Sequence, residues 1–491
     1  MPIVYRAFTE VSKRSAIGYA SKLFYQKTGE PESEFVLKAS FPNQFFIIFT
    51  TMKKTLAAIL LLAALCPWVK AQPGYTPSQE NLEARERFDS DRFGIFIHWG
   101  IYSMLGQGEW AMQNKNIDYR EYPRLADGFY PSKFDASQWV KAIKASGARY
   151  ITITSRHHDG FSMFGSKASR YNIVDATPFG RDIMAELAKA CHEEGIRLHF
   201  YYSHLDWGRT DYPLGRTGLG TGRPEGTSDW RHYMDFVNAQ LTELLTQYGP
   251  IGAIWFDGVW DQDASPREAQ PGLWNLYEQY ALIHRLQPSC LVGNNHHLLP
   301  FEGEDIQIFE RDIPGQNEYG LSGQEISRLP LETCQTMNRS WGYNITDKDY
   351  KSSDDLIRYL VRTAGKGANL LLNIGPRPDG TLPDEAMARL EAMGRWMDVY
   401  GDTIYGTSAG FVSEQDWGVS TQKDNVLYLH ILEPVSELTL DTPSKLKAAE
   451  VFNGGMPVGF TRKKGRITLA VPEVPEGTVD MVIKLTFKDI L

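Results

Sequence analysis

Eight short, apolar, β-rich runs, most of them followed by a helical stretch, constrain this chain more than any other feature. The runs are 94–98 (GIFIH), 150–154 (YITIT), 196–202 (IRLHFYY), 251–256 (IGAIWF), 290–293 (CLVG), 305–309 (DIQIF), 332–337 (ETCQTM) and 369–374 (NLLLNI). Helical periodicity is clearest over 136–146, 183–194, 230–247, 273–286 and 354–364, with Asp135, Asp182 and Ser353 as capping or first-turn residues. Strands that are apolar along their whole length suit a sheet buried on both faces. Eight of them, alternating with helices, predict an α/β fold, a (β/α)8 TIM-like barrel over residues 76–403. A doubly wound open sheet is the alternative, and the link between the sixth and seventh runs lacks a helix. From 404 to 491 the pattern changes to alternating runs (426–432, 438–440, 448–452, 467–471, 479–487) with turn signals at Asn453-Gly454-Gly455 and Pro475-Glu476-Gly477. This predicts a small C-terminal antiparallel β-sandwich.

The start of the chain reads differently. Lys53 and Lys54 precede an apolar run from Leu56 to Leu65, and Val69-Lys70-Ala71 offers small residues at a cleavage site. Residues 52–71 are thus expected to be a secretory signal peptide whose apolar run is too short to span a bilayer, and residues 1–51 an upstream leader. The expected product is exported, periplasmic or extracellular, with no membrane anchor after cleavage near Ala71. The whole chain has 51 Lys+Arg and 60 Asp+Glu, a net charge of −9. Residues 1–71 hold nine of the basic and four of the acidic residues, so the remaining 420 carry a net charge of −14. That balance argues against nucleic acid as a partner. Four Cys without CxxC or Cys/His spacing indicate neither a disulfide framework nor structural zinc.

Barrel chemistry sits at the carboxyl ends of the strands. Here those ends carry His98-Trp99, Arg156-His157-His158-Asp159, Tyr201 to Trp207, Asp257-Gly258, Asn294-Asn295-His296-His297, Glu310-Arg311-Asp312 and Asn373. Asp257 is a poor helix cap, because the next helical run starts well beyond the loop DGVWDQDASP. Glu310 has a bland alternative role, an ion pair with Arg311 or Arg328. Two carboxylates on different strand ends, among aromatic side chains, are the equipment of a glycosidase. Glu109-Trp110, in the loop after the first strand, adds a hydrogen-bonding carboxylate and an apolar sugar platform. A metal-dependent hydrolase barrel is the competing reading. However, His157 and His158 are adjacent and expected to point apart, and no HxH or HExxH occurs. No P-loop or dinucleotide fingerprint appears: GLGTGRPEG (218–226) is Gly-rich but lies outside a strand–turn–helix context.

The segments RFGIFIHWG (92–100), GEW (108–110), RHHDGF (156–161), YYSHLDW (201–207), WFDG (255–258), SWGYN (340–344) and NLLLNIGPRPDG (369–380) resemble the α-L-fucosidases of glycoside hydrolase family 29. The resemblance runs in order from about 76 to 405, and the C-terminal β-sandwich fits the family architecture. It implies a retaining, exo-acting fucosidase that needs no cofactor or metal and acts on a fucosylated oligosaccharide or glycoconjugate. Asp257 matches the nucleophile. His98, Glu109, Trp110, His157, His158 and Trp255 match the shell around the sugar. Tyr202, with Tyr201 as its alternative, matches the pocket residue after the third strand. Glu310 is the acid/base, with Glu304 as runner-up and Glu302 more remote. Where the family often carries an Arg after the fifth strand, this chain has Asn295-His296-His297, and His296 is the substitute. An inactive fucose-binding homologue is the non-enzymatic alternative.

Overall fold

The alternation of apolar strands and helices folds into one sheet of eight parallel strands, as expected from burial on both faces. A computed structural model describes residues 74–262 and 273–491; the leader and the signal segment lie outside the described residues. The strands are β1 (Phe93–Ile97), β2 (Tyr150–Arg156), β3 (Arg197–Ser203), β4 (Ala253–Asp257), β5 (Leu291–Asn294), β6 (Gln307–Glu310), β7 (Leu331–Thr336) and β8 (Ala368–Ile374). Their order is β5-β4-β3-β2-β1-β8-β7-β6. The two ends meet through a parallel bridge between Gly293 and Ile306 and a bond from the Asp305 N–H to the Val292 carbonyl at 2.7 Å. The sheet therefore closes almost completely into a barrel rather than an open doubly wound sheet.

Strand side chains alternate between two cores. Ile95, Ile97, Ile151, Ile153, Leu198, Phe200, Ile254 and Phe256 face outward into the layer shared with the helices. Phe96, Tyr150, Tyr201, Trp255, Ile308, Cys334 and Leu371 fill the barrel interior. The helices Ile183–Glu194 and Trp230–Gln247 occupy the expected spans, and Asp135 and Asp182 cap their helices with side-chain bonds to backbone N–H groups. The helix Ser353–Gly365 is capped by Ser352 rather than Ser353. Its capping box pairs Ser352 with Asp355, a geometry that requires the acid three residues on. No helix occurs between β6 and β7.

Beyond the helix Asp384–Tyr400 the chain forms β9 (Ser408–Ala409), β10 (Gly418–Lys423), β11 (Val426–Ile431), β12 (Glu437–Asp441), β13 (Leu446–Val451), β14 (Phe460–Lys463), β15 (Arg466–Ala470) and β16 (Met481–Phe487). They form two antiparallel sheets, β13-β16-β11-β10-β9 and β12-β15-β14. Leu429, Ile431, Leu440, Ile467, Leu469, Ile483 and Leu485 make the core between them. Strand β14 has no apolar alternation, because all four of its residues are exposed, and β9 and β10 are equally hidden from a pattern search. The β-rich segment meets the barrel through ion pairs of Arg358 with Glu433 and Arg362 with Glu414.

Candidate active site

The site is built from the inward-facing ends of the strands. On β4 the period of two puts Ala253, Trp255 and Asp257 on the interior face. The parallel register pairs Tyr201 with Trp255 and Ser203 with Asp257, so these share that face. Three neutral donors converge on the Asp257 carboxylate. The Gly258 N–H and the Trp260 indole N–H reach Oδ1 at 2.7 and 2.9 Å, and the Tyr201 hydroxyl reaches Oδ2 at 2.8 Å. Gly258 makes the turn possible. It sits at φ +92°, where a Cβ would also stand 2.7 Å from Leu205 Cβ. This turn swings Trp260 back over the carboxylate that precedes it.

Glu310 ends β6 and faces the same cavity, whose volume is about 340 Å³. Asn295 Nδ2 donates to Glu310 Oε2 at 2.9 Å, and His297 Nε2 lies 3.9 Å from the same oxygen. Burial pushes the Glu310 carboxyl above its ordinary range. Asp257 adds to this by charge repulsion, while His297, Asn295 and Arg311 pull the other way. A carboxyl pKa raised above its ordinary range favours the protonated form that a general acid requires.

Neutral histidines line the opposite wall. His98 Nδ1 lies 2.6 Å from Asn373 Oδ1, an acceptor, so Nδ1 carries the proton and Nε2 is left as an acceptor. The Ser203 hydroxyl donates to the Leu205 carbonyl at 2.6 Å and therefore accepts from His158 Nδ1 at 2.7 Å. His158 Nε2 then faces Asp257 Oδ2 at 3.7 Å. Burial lowers His98 to about 3, His158 to about 4, and His157 as well. Glu109 is buried, accepts from the Gly342 N–H at 2.7 Å, and is pushed up by that burial. Trp110 stacks on Trp260 with ring centres 6.0 Å apart and planes 7° from parallel. The wall therefore offers neutral acceptors, a carboxyl and flat aromatic faces, the set that recognises a neutral polyol.

His98, Glu109, Trp110, His157, His158, Trp255, Asp257 and Glu310 all line this cavity. Tyr202 and His296 do not. The Tyr202 side chain points outward and its hydroxyl donates to Gln240 Oε1 at 2.9 Å, because strand parity gives the interior position to Tyr201. His296 turns away to Glu304 and Phe301, and His297, held at φ +60°, faces the cavity in its place. Glu304 is buried beneath them. It accepts from the Tyr280 hydroxyl at 2.8 Å and the Phe301 N–H at 3.1 Å, and it does not line the cavity. His157 and His158, expected to diverge, both reach the cavity with ring centres 4.1 Å apart. The register shift between Thr154 and Arg156 breaks the strand alternation just before them. Asn295, at the strand end already marked by the sequence, lines the cavity too, and so do Trp260, Trp341, Arg216 and Leu321, to which the sequence alone assigns no role. Trp341 lies in the SWGYN motif, and Trp260 follows Asp257 by three residues.

A nearly closed parallel barrel with two carboxylates and an aromatic, histidine-rich wall at its carboxyl end defines a glycoside hydrolase. The α-L-fucosidase family model matches residues 62–402, and the chain belongs to the α-L-fucosidase family. An α-L-fucosidase of Branchiostoma floridae is 32% identical over 443 residues, which is 84% of this chain and 88% of that protein. The structure of α-L-fucosidase isoenzyme 1 from Paenibacillus thiaminolyticus superposes with a TM-score of 0.73 at 33% identity, covering 84% of this chain and all of that one. A family 29 α-L-fucosidase from Bacteroides thetaiotaomicron, solved as a trapped covalent intermediate with 2-fluoro-fucosyl fluoride, gives 0.71 at 27% identity, covering 85% and 98%.

Proposed function

We propose that this chain is an exo-acting, retaining α-L-fucosidase that removes terminal α-L-fucosyl residues from oligosaccharides or glycoconjugates through a covalent fucosyl-enzyme. One observation carries the assignment of roles. Asp257, held by three donors, and Glu310, raised by burial, face one cavity. Fucose enters with its ring hydroxyls toward His98, His157, His158 and Glu109, and its apolar face against Trp255. Asp257 attacks C1 while Glu310 gives its proton to the departing oxygen. Glu310 then takes a proton from water, which attacks C1, breaks the ester to Asp257 and releases fucose with its configuration retained. Reaction with a 2-fluoro-fucosyl fluoride followed by peptide mass spectrometry tests this. The label is expected on the peptide containing Asp257; a label elsewhere would overturn the assignment.

We infer further that the N-terminal segment directs export. Lys53 and Lys54, the apolar run and the Val69-Lys70-Ala71 site support export to the periplasm or the medium. Mass spectrometry of the exported protein should find an N-terminus near Gln72, and an intact Met1 end would contradict it.

A further inference from the structure

Glu332, on β7, is fully buried inside the barrel, below the cavity, and has no part in the chemistry above. Its Oε2 accepts from the Tyr150 hydroxyl of β2 at 2.6 Å. Its Oε1 accepts from the Trp255 indole N–H of β4 at 2.8 Å. One carboxyl thus ties three strands together across the barrel interior. Both partners are neutral, and burial pushes the group up to about 7 against the pull of both donors. Apolar side chains of similar volume in place of the carboxyl and its two donors would fill this space at no greater cost, since a buried carboxylate loses its hydration without gaining a cation. Space filling alone does not account for it.

The indole it holds is the one that matters to the site. Trp255 lines the cavity and stacks on Tyr201 with ring centres 5.4 Å apart and planes at 25°. The Tyr201 hydroxyl in turn donates to Asp257. The other side of the indole packs edge-on against Phe96 at 5.2 Å, and Phe96 packs against His98 at 4.3 Å. The orientation of this one ring therefore bears on both the nucleophile's donor and a sugar-facing histidine. Aromatic packing leaves a ring free to slide, whereas a hydrogen bond to its N–H fixes its rotation.

We propose that Glu332 is a positioning residue for the fucosidase reaction, fixing the Trp255 indole that seats Tyr201 against Asp257. This rests on the fucosidase reading above. It is tested with Glu332→Gln, which keeps the shape but presents an amide, in wild-type and Trp255→Phe backgrounds, alongside a 15N-indole spectrum. The Trp255 indole resonance, identified by its loss in Trp255→Phe, is expected to move in Glu332→Gln. Exchanging the carboxyl acceptor for the weaker amide oxygen should lower kcat/KM on an aryl α-L-fucoside about tenfold. In the Trp255→Phe background, which lacks the N–H, the same change should cost less than about twofold, because the effect passes through that ring. Equal losses in both backgrounds, no loss in the wild-type background, or an unmoved resonance would each overturn the proposal. If Glu332→Gln fails to fold, Tyr150→Phe decides: it removes only the other donor and leaves the Trp255 bond, so kcat/KM within about twofold and an unmoved indole resonance are expected, and a loss of about tenfold would overturn the proposal. A wild-type protein inactive on every fucoside would overturn the fucosidase reading instead, and the indole resonance would still decide the contact.

Discussion

The Tyr201 hydroxyl donates to Asp257 Oδ2 at 2.8 Å, whereas the hydroxyl of its neighbour Tyr202 donates to Gln240 Oε1 at 2.9 Å on the opposite face of the strand. Two chemically identical side chains, one residue apart, thus serve the site and the packing separately. Tyr201→Phe should lower kcat/KM about 10- to 100-fold, the worth of one hydrogen bond to a charged group. Tyr202→Phe should leave kcat/KM within about twofold and cost roughly 1 kcal/mol of stability. Kinetics and denaturant melts on the two variants check this. Equal losses of activity would refute the separation of roles.

The acid/base assignment predicts a chemical rescue. Glu310→Ala should lower kcat/KM on a natural glycan about 10²- to 10⁴-fold, the usual contribution of a positioned proton donor. Substrates with activated leaving groups need no acid in the first step, so they should still form the fucosyl-enzyme. Azide should then intercept it and give a fucosyl azide of retained configuration, seen by NMR. Asp257→Ala should give no such product with retained configuration, because it cannot form the intermediate.

Much of this arrangement is legible in the sequence because strand ends are. An apolar run that stops at an acid, as at Asp257 and Glu310, announces both the strand and the side chain at its mouth. What is not legible depends on parity and backbone conformation. Choosing Tyr201 over Tyr202 requires the register of β3 against β4, which pairs Tyr201 with Trp255. The shift between Thr154 and Arg156 that brings His157 and His158 to one cavity leaves no trace in residue type. His297 rather than His296 faces Glu310 because His297 adopts a left-handed conformation, rare for a residue with a Cβ. Trp341 and Glu332 come from a loop and a strand far along the chain, and only closure of the barrel brings Trp341 to His98 at the cavity wall and Glu332 to Trp255.

The neighbours of Glu310 set the sign of a pH effect. In the free enzyme Glu310 must hold a proton to act as acid, so kcat/KM is retained below its pKa and lost as pH rises through it. Burial raises that pKa and Asp257 raises it further, while His297, Asn295 and Arg311 lower it. His297→Ala removes one lowering influence. Asn295→Leu removes the bond at 2.9 Å that favours the charged form. Both changes should move the alkaline limb of the kcat/KM profile on an aryl α-L-fucoside to higher pH. An unmoved limb, or one shifted toward acid, would show that these side chains do not govern the proton on Glu310.

Glu304, the competing acid/base on sequence grounds, should behave as a structural carboxyl. It lies 3.0 Å from His296 Nε2 and accepts from Tyr280 and the Phe301 backbone. With Asn294 donating to the Tyr280 hydroxyl at 2.9 Å, this network fixes the loop that carries Asn295 and His297 beside Glu310. Glu304→Ala strands several buried polar groups at once, each costing about 1–3 kcal/mol, so the melting temperature should fall clearly. Below that temperature the variant should still hydrolyse aryl fucosides with retention, and azide should not accelerate it. Azide rescue of Glu304→Ala, with none for Glu310→Ala, would transfer the acid/base role to Glu304.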